Sequence, residues 1–438
     1  MVNFEAIANK HVKNETGRGF AVSLEREGRP LFKYFSGTAE LGSETYPVTE
    51  NAPFDVGSVA KQFVACCAAI LARENKLCLS DPIRKYLPEM GGYADKITIR
   101  HLISMTSGVR NVYLMKYLMS DSPLGEMEMF FRQRQPANGP GNFWGYGEAD
   151  YILLGHVVER LTGGNAGFAN ERIFKPLGMK NTRGYGIMGG GGLISTVRDL
   201  HLWFECLAER NLPGAPAGLF DMIFSPHTMN CGEVCPYGFG FFYDGAERDI
   251  IWQYGDMNDW QCVVRLYLKR RLSIVVLTYQ KNNGFEPVGL ALELENEAAR
   301  ELFGLPERGN YKRAYFERPL RQSETERVFH PDYPDAVKQN PHADENKTKY
   351  FGRYYGYEID TRFEIVPDGS GFQMKYAGRG AEGFVNLLSF SGEGEITATT
   401  RGEWGSFRFP LEFFGSGEKI DYFTLRRGAG HFYFTREA

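Results

Sequence analysis

No apolar run in this chain approaches the roughly 20 residues that a membrane-crossing helix needs. The opening stretch Met1-Val2-Asn3-Phe4-Glu5-Ala6 lacks the basic, apolar and small-residue succession of a secretory leader. Cysteine is scarce: there are seven, an odd and scattered number, with Cys66 and Cys67 adjacent in one apolar stretch. Structural disulfides are therefore not expected, and a reducing cytoplasm is the expected location. Cys231 and Cys235 have neither a second pair nor histidines close by, so they do not read as a zinc site, and nothing calls for a metal or cofactor. Charge of one sign is lacking too. The net charge is −4 with acids and bases interspersed, which leaves no basic face for nucleic acid. There is no internal repeat and no low-complexity tract. The partner to expect is a small-molecule substrate, with no nucleic acid and no membrane.

What is present is a chain of 438 residues, 43% apolar and 24% charged, long enough for two domains with ample core. Residues 19–25 and 30–35 alternate as two strands, and the Glu27-Gly28 step between them suits a hairpin. A buried helix is predicted from about residue 58 to Asn75. Helical periodicity resumes from Thr98 to about Gly164, with a clear amphipathic helix over 151–161 stopped by Gly163-Gly164. Gly189–Gly192 reads as a tight turn rather than a phosphate cradle, since no Lys-Ser/Thr follows it. Thr196 and Asp199 then have capping-box spacing for a helix over 197–207. Strands are predicted at 237–243, 249–253, 261–268 and 272–277, followed by a helix over 286–303. Strands at both ends with helices between predict one antiparallel sheet built from the two ends, flanked by helices, with an all-α region inserted, an α/β (α+β) fold. Residues 306–347 carry five prolines and mixed charge and read as a linker between a first domain, 1–305, and a last one, 348–438. The last domain alternates in short strands with glycine turns, the pattern of a small antiparallel barrel.

The candidate chemistry begins at Ser58 and Lys61, three apart ahead of the apolar run 64–71. On a helix, residues three apart share a face, so the amine can reach the hydroxyl. Serine is a weak nucleophile without a neighbouring base, and a lysine becomes that base when burial disfavours its charge. A serine at a helix start also presents its own N–H to a developing oxyanion. By itself Ser-x-x-Lys is a common four-residue match, read as a capping serine with a surface lysine.

Longer stretches change that balance. Asp55-Val56-Gly57-Ser58-Val59-Ala60-Lys61-Gln62-Phe63, Ile97–Gly108 with Leu102-Ile103-Ser104-Met105-Thr106-Ser107-Gly108, Trp144–Glu148 running into Tyr151–Gly155, Phe174-Lys175-Pro176-Leu177-Gly178-Met179 and Gly192–Leu200 follow one another in order. Together they resemble the serine β-lactamase and penicillin-recognising family, in its class C-like branch of D-aminopeptidases, esterases and CubicO-type hydrolases. The resemblance covers most of residues 15–305. It implies an acyl-enzyme formed on Ser58, with Lys61 and Tyr146 moving the proton; which of the two is the base stays open. It also implies oxyanion N–H groups from Ser58 and Asp256. The family's Tyr-x-Asn motif falls on Tyr146-Gly147-Glu148, so a carboxylate replaces the asparagine that holds an acyl amide. The Lys-Thr-Gly or His-x-Gly motif falls on Gln253-Tyr254-Gly255, so a neutral amide replaces a cation or histidine. Glu148, Gln253 and Gly255 are accordingly the expected substrate-binding residues. A pocket with one cation fewer and one acid more, and with Asp256 and Asp259 nearby in sequence, should favour an amine over a carboxylate. The expected reaction is therefore cleavage of an amide or peptide in a small amine-bearing substrate. An esterase or transacylase would use the same residues, and a catalytically silent ligand-binding or sensor protein on the same scaffold is the alternative. His101 is expected to cap or pack, Arg110 to line the mouth, and Trp144 and Trp260 to pack. By the same resemblance the last domain is lipocalin-like, covering the site or mediating homo-oligomers.

Overall fold

The computed structural model describes residues 4–11, 18–111, 125–244, 248–257, 259–280, 287–304, 337–339 and, with gaps, 347–437. The expected linker, 306–347, lies outside the described residues except at 337–339 and 347. The chain forms two compact units. One takes Met1–Asp81, Thr98–Met105 and Tyr146–Pro319; the other takes Pro82–Ile97, Thr106–Gly145 and Leu320–Ala438.

The first unit is built on an eight-stranded antiparallel sheet. Its strands are β1 (Arg18–Arg26), β2 (Arg29–Leu41), β3 (Glu44–Pro47), β7 (Tyr237–Gly238), β8 (Phe241–Asp244), β9 (Ile250–Met257), β10 (Trp260–Tyr267) and β11 (Leu272–Gln280), with β4 (Phe54–Asp55), β5 (Arg183–Gly184) and β6 (Leu193–Ser195) in a separate small sheet. The order is β3-β2-β1-β11-β10-β9-β8-β7, so the two ends of the unit meet at β1 and β11, with Val22 opposite Val276 and Leu24 opposite Ile274. The β1–β2 hairpin turns through Glu27 and Gly28, both at positive φ. Every residue of β10 and β11 is buried. That follows from cover on both faces, which turns a strand into a nearly continuous apolar run. On one face α1 (Phe4–His11) and α6 (Pro287–Phe303) bring Phe4, Leu290, Leu294 and Ala298 against Val263, Ile274 and Val276. On the other lies α5 (Val197–Glu209), whose His201 Nδ1 meets the Ser273 hydroxyl at 2.8 Å.

The helices between the strands are α2 (Ala60–Arg73), α3 (Ile99–Ile103) and α4 (Ala149–Thr162). Residues 60–71 of α2 are all buried, which makes it the central helix. Gly163 at φ 72° ends α4, the left-handed stop that glycine allows. Thr98 and His101 form a reciprocal capping box on α3, so His101 caps as expected. Thr196 caps α5 through the Asp199 N–H, but the Asp199 carboxylate turns to Asn181 N and Thr182 Oγ1, so only half of the expected box forms. The predicted strand over 237–243 is broken into β7 and β8 at Phe239 and Gly240, both at positive φ. The reason is contact with the central helix, since a Cβ on Gly240 would stand 2.4 Å from Gln62 backbone. No helix among the described residues is long and apolar enough to cross a membrane.

In the second unit, β12 (Val337–Gln339) adds to a ring of eight strands: β13 (Gly352–Gly356), β14 (Thr361–Asp368), β15 (Gly371–Tyr376), β16 (Val385–Phe390), β17 (Ile396–Gly402), β18 (Gly405–Gly415), β19 (Tyr422–Arg427) and β20 (Gly430–Arg436). Each pairs antiparallel with its neighbour, and β13–β20 and β18–β19 pairing closes the circuit. Burial alternates along β14, with Phe363 and Ile365 inside and Arg362 outside, as a one-sided antiparallel strand requires. Arg110, expected at a mouth, is buried, and Gln133 bridges its backbone N–H and carbonyl.

Candidate active site

Ser58 lies in a single 3-10 turn, Gly57–Val59, that runs directly into α2. Side chains three apart eclipse in that geometry, which puts the fully buried Lys61 beneath Ser58. Lys61 Nζ donates to Ser58 Oγ at 2.8 Å and to the Gly190 carbonyl at 2.9 Å. Ser58 Oγ also lies 3.3 Å from that carbonyl. Burial pushes the Lys61 pKa down to about 8, with the nearby Glu148 carboxylate pulling the other way.

The turn is held by its flanks. Gly57 takes φ 48°, and its N–H donates to Asp55 Oδ1 at 2.9 Å. Asp55 Oδ2 accepts from the Tyr185 hydroxyl at 2.5 Å. Burial raises the Asp55 pKa, and those two hydrogen bonds oppose the rise. Pairing of β4 with β6 sets Phe54 opposite Ser195 and Asp55 opposite Ile194. The glycine run that precedes β6 therefore arrives beside Ser58. It has no room for side chains: a Cβ on Gly189 would stand 3.0 Å from Ile152 Cα, and one on Gly190 would stand 3.2 Å from Glu148 Cβ. The run is thus more than the turn expected from sequence, because it delivers a carbonyl to the candidate nucleophile and base.

Tyr146 is half-buried, with its ring stacked on Phe242 at 5.3 Å between centroids and edge-on to Tyr237 at 5.6 Å. Lys61 Nζ lies 5.3 Å from the centre of the Tyr146 ring. Burial, then the Glu148 charge, push the Tyr146 pKa above its ordinary value, while hydrogen bonds to Ser58 and Gln253 oppose the rise. Gln253 is fully buried on β9. Its Nε2 donates to Tyr146 Oη at 2.8 Å and to the Tyr254 carbonyl at 2.8 Å, and Tyr237 donates to its Oε1 at 3.3 Å. A carbonyl can only accept, so the Tyr254 bond fixes which end of the amide carries the protons. Tyr146 Oη therefore accepts from Gln253 and keeps its own proton for the Ser58 side.

Gly255 and Asp256 run close against the Gly57–Val59 turn. A Cβ on Gly255 would stand 2.1 Å from the Val56 carbonyl, and one on Gly57 would stand 2.9 Å from Asp256 N. Only glycine at 57 and 255 lets the Asp256 peptide approach this near, while the Asp256 side chain stays exposed. Glu148 is the half-buried residue ahead of α4, close enough to act electrostatically on both Lys61 and Tyr146. Ser58, Lys61, Tyr146, Glu148, Gln253, Gly255 and Asp256 are thus all gathered at one place. Trp260 packs on Phe54 and Tyr279. Sequence reasoning missed Gly190, Tyr185 and Tyr237. The glycine run carried a signal for the first, and nothing local signalled the other two.

A family model described as Beta-lactamase matches residues 4–297. Penicillin-binding protein 4* of Bacillus subtilis is 23% identical over 366 residues, covering 70% of this chain and 76% of that protein. The D-aminopeptidase of Brucella ovis is 24% identical over 335 residues, covering 67% of this chain and 62% of that enzyme. Among solved structures, the octameric penicillin-binding protein homologue from Pyrococcus abyssi superposes with a TM-score of 0.56 at 18% identity, covering 99% of each chain.

Proposed function

The chain belongs to the beta-lactamase family of hydrolases, and from that premise we propose that it cleaves an amide or peptide bond in a small amine-bearing substrate through an acyl-enzyme on Ser58. The observation that carries this reading is the fully buried Lys61 amine, 2.8 Å from Ser58 Oγ and with its pKa lowered to about 8. A good fraction of that amine is neutral near physiological pH and able to take the serine proton. Tyr146, with its pKa raised, remains a phenol, which favours Lys61 as the base and Tyr146 as the relay. Ser58 Oγ attacks the carbonyl, and its proton passes to Lys61. The backbone N–H groups of Ser58 and Asp256 hold the oxyanion. Collapse of the intermediate breaks the C–N bond, and the proton travels through Tyr146 to the departing amine. Water then attacks the acyl group with Lys61 again as base, which regenerates the hydroxyl and releases the acid.

Specificity follows from charge. Gln253, a neutral amide already bonded to Tyr146 and Tyr254, offers no cation to a substrate carboxylate, whereas Glu148 offers an anion to an ammonium. The similarity to a D-aminopeptidase supports the same substrate class. The octameric Pyrococcus homologue supports a homo-oligomeric assembly, which light scattering on the purified chain would check. The decisive test is a panel of D- and L-amino acid amides, short-chain esters and a chromogenic cephalosporin, run beside mass spectrometry after exposure to a fluorophosphonate. We expect an adduct on Ser58 that disappears in Ser58→Ala, and amide turnover with preference for a free amine. An unreactive Ser58, or cephalosporin preferred to every amine-bearing amide, would overturn the reading.

A further inference from the structure

Tyr237, whose hydroxyl supports Gln253, also lines a separate small pocket in the same unit. Arg100, Arg248, His227, Ser104 and Ser225 line it with Tyr237, and no carboxylate among the described residues does. The Arg100 guanidinium makes no hydrogen bond or ion pair among the described residues, and only its backbone is bonded, to Leu79 and Ser104. Arg248 spends one nitrogen on the Cys235 carbonyl at 2.8 Å, hydrogen-bonds the Tyr243 side chain and stacks its guanidinium over that ring, 3.9 Å from the ring centre, which still leaves several of its five N–H groups. A stacked guanidinium keeps its remaining N–H edge available. Arg248 is also held at φ 53°, a backbone conformation unusual for a large side chain and one that clusters at functional positions. Nε2 of His227 is buried there without a hydrogen-bond partner. The two serine hydroxyls donate to Arg100 and Met222 carbonyls, so the charged donors left in the pocket are its two guanidiniums. Two like charges lining one pocket with no acid between them repel each other unless an anion comes from outside.

We propose that this pocket binds a compact oxyanion, a carboxylate or a phosphate, between the Arg100 and Arg248 guanidiniums, and that its occupancy reaches Tyr146 through Tyr237 and Gln253. Guanidinium forks match the paired oxygens of such groups, so the pocket should discriminate against a spherical ion. The coupling runs through side chains already in contact: Tyr237 touches the pocket, its hydroxyl reaches Gln253, and Gln253 holds Tyr146.

The test is calorimetric titration of the full-length chain, at low ionic strength, with inorganic phosphate and separately with acetate, against sodium chloride at matched ionic strength. Saturable one-site binding of an oxyanion is expected, weakened at least tenfold in Arg100→Gln and in Arg248→Lys, and unchanged in the exposed control Arg29→Gln. The two salts tell a phosphate site from a carboxylate site. Absence of saturable heat, equal binding by Arg100→Gln, or chloride binding as tightly would each overturn the site. Coupling is read separately from the rate of fluorophosphonate labelling of Ser58 with and without the bound salt. This arm rests on the reactivity proposed for Ser58, whereas the calorimetry does not. A severalfold change in rate that Arg100→Gln abolishes is expected; an unchanged rate with proven binding would overturn the coupling.

Discussion

On one side of the site, Ser58 and Lys61 are three residues apart and are brought together by a single turn of chain. On the other, Gln253 reaches Tyr146 across 107 residues, and the Gly190 carbonyl meets Lys61 across 129. The near side depends mainly on helix geometry, with Asp55 and the β4–β6 pairing holding the turn at its flank. The far side depends on a sheet, a glycine run and two backbone approaches too close for a Cβ. The near side should therefore lose chemistry without losing structure when changed, and the far side should lose both together.

The largest expected effects lie on the near side. Ser58→Ala should abolish turnover and labelling, and Lys61→Met should slow both by about 10²–10⁴-fold, the usual contribution of a positioned base. Neither should lower the melting temperature; a loss of stability in either would show that the near side is structural as well as chemical. Lys61→Met should in fact stabilise the chain at low pH. The folded pKa of Lys61 is depressed from 10.5 to about 8, so the folded state binds fewer protons than the unfolded state between those values. The stability of the wild type relative to the variant should then fall by about 1.4 kcal/mol for each pH unit descended through that window. Thermal melts of the two chains at pH 7 and pH 10 would measure it.

Next comes Gly255→Ala on the far side, where the added methyl would sit 2.1 Å from a backbone oxygen. We expect it to cost about 1–3 kcal/mol as an overpacking change and to slow Ser58 labelling at the same time, because the Asp256 peptide must move. Gly190→Ala, at 3.2 Å from the Glu148 side chain, should be milder. Gln253→Leu should cost about 1–3 kcal/mol by leaving the Tyr254 carbonyl and Tyr237 hydroxyl without their partner. Because Gln253 donates a hydrogen bond to Tyr146, we expect the substitution to lower kcat more than it raises KM; a KM effect alone would support the role of substrate contact.

The smallest effect joins the two sides. The rate of Ser58 labelling should rise with pH through about 8 as Lys61 loses its proton. Glu148 favours the charged amine, so Glu148→Gln should move that midpoint downward, and it should also erase the preference for amine-bearing amides. A midpoint that moved upward would show that Glu148 does not face Lys61.

Much of the fold was legible because its signals are local or periodic. The apolar run 64–71 announces α2, the glycine pair 163–164 ends α4, alternation marks the β1–β2 hairpin, and a continuous apolar run marks β11. Two positions show the limit. Gln253 reads in sequence as a substrate contact, yet its amide is already committed to Tyr146, Tyr254 and Tyr237. Gly190 reads as part of a turn, yet its carbonyl holds the lysine. Neither role follows from neighbours in the chain, because both depend on which segments the sheet brings side by side.

By itself the sequence determined most of the strand and helix succession, the candidate nucleophile with its amine one turn away, and the presence of Gln253 and Glu148 where the resembled motifs carry a cation and an amide. These are properties of residue type and short spacing, where sterics and hydrogen bonding between near neighbours leave few alternatives. Tertiary structure alone decided that Lys61 is buried enough to lower its pKa, that Tyr237 stands behind Gln253, and that Arg100 and Arg248 share one pocket. Desolvation and long-range contact exist only once distant segments have closed around a group, and no local pattern encodes that closure.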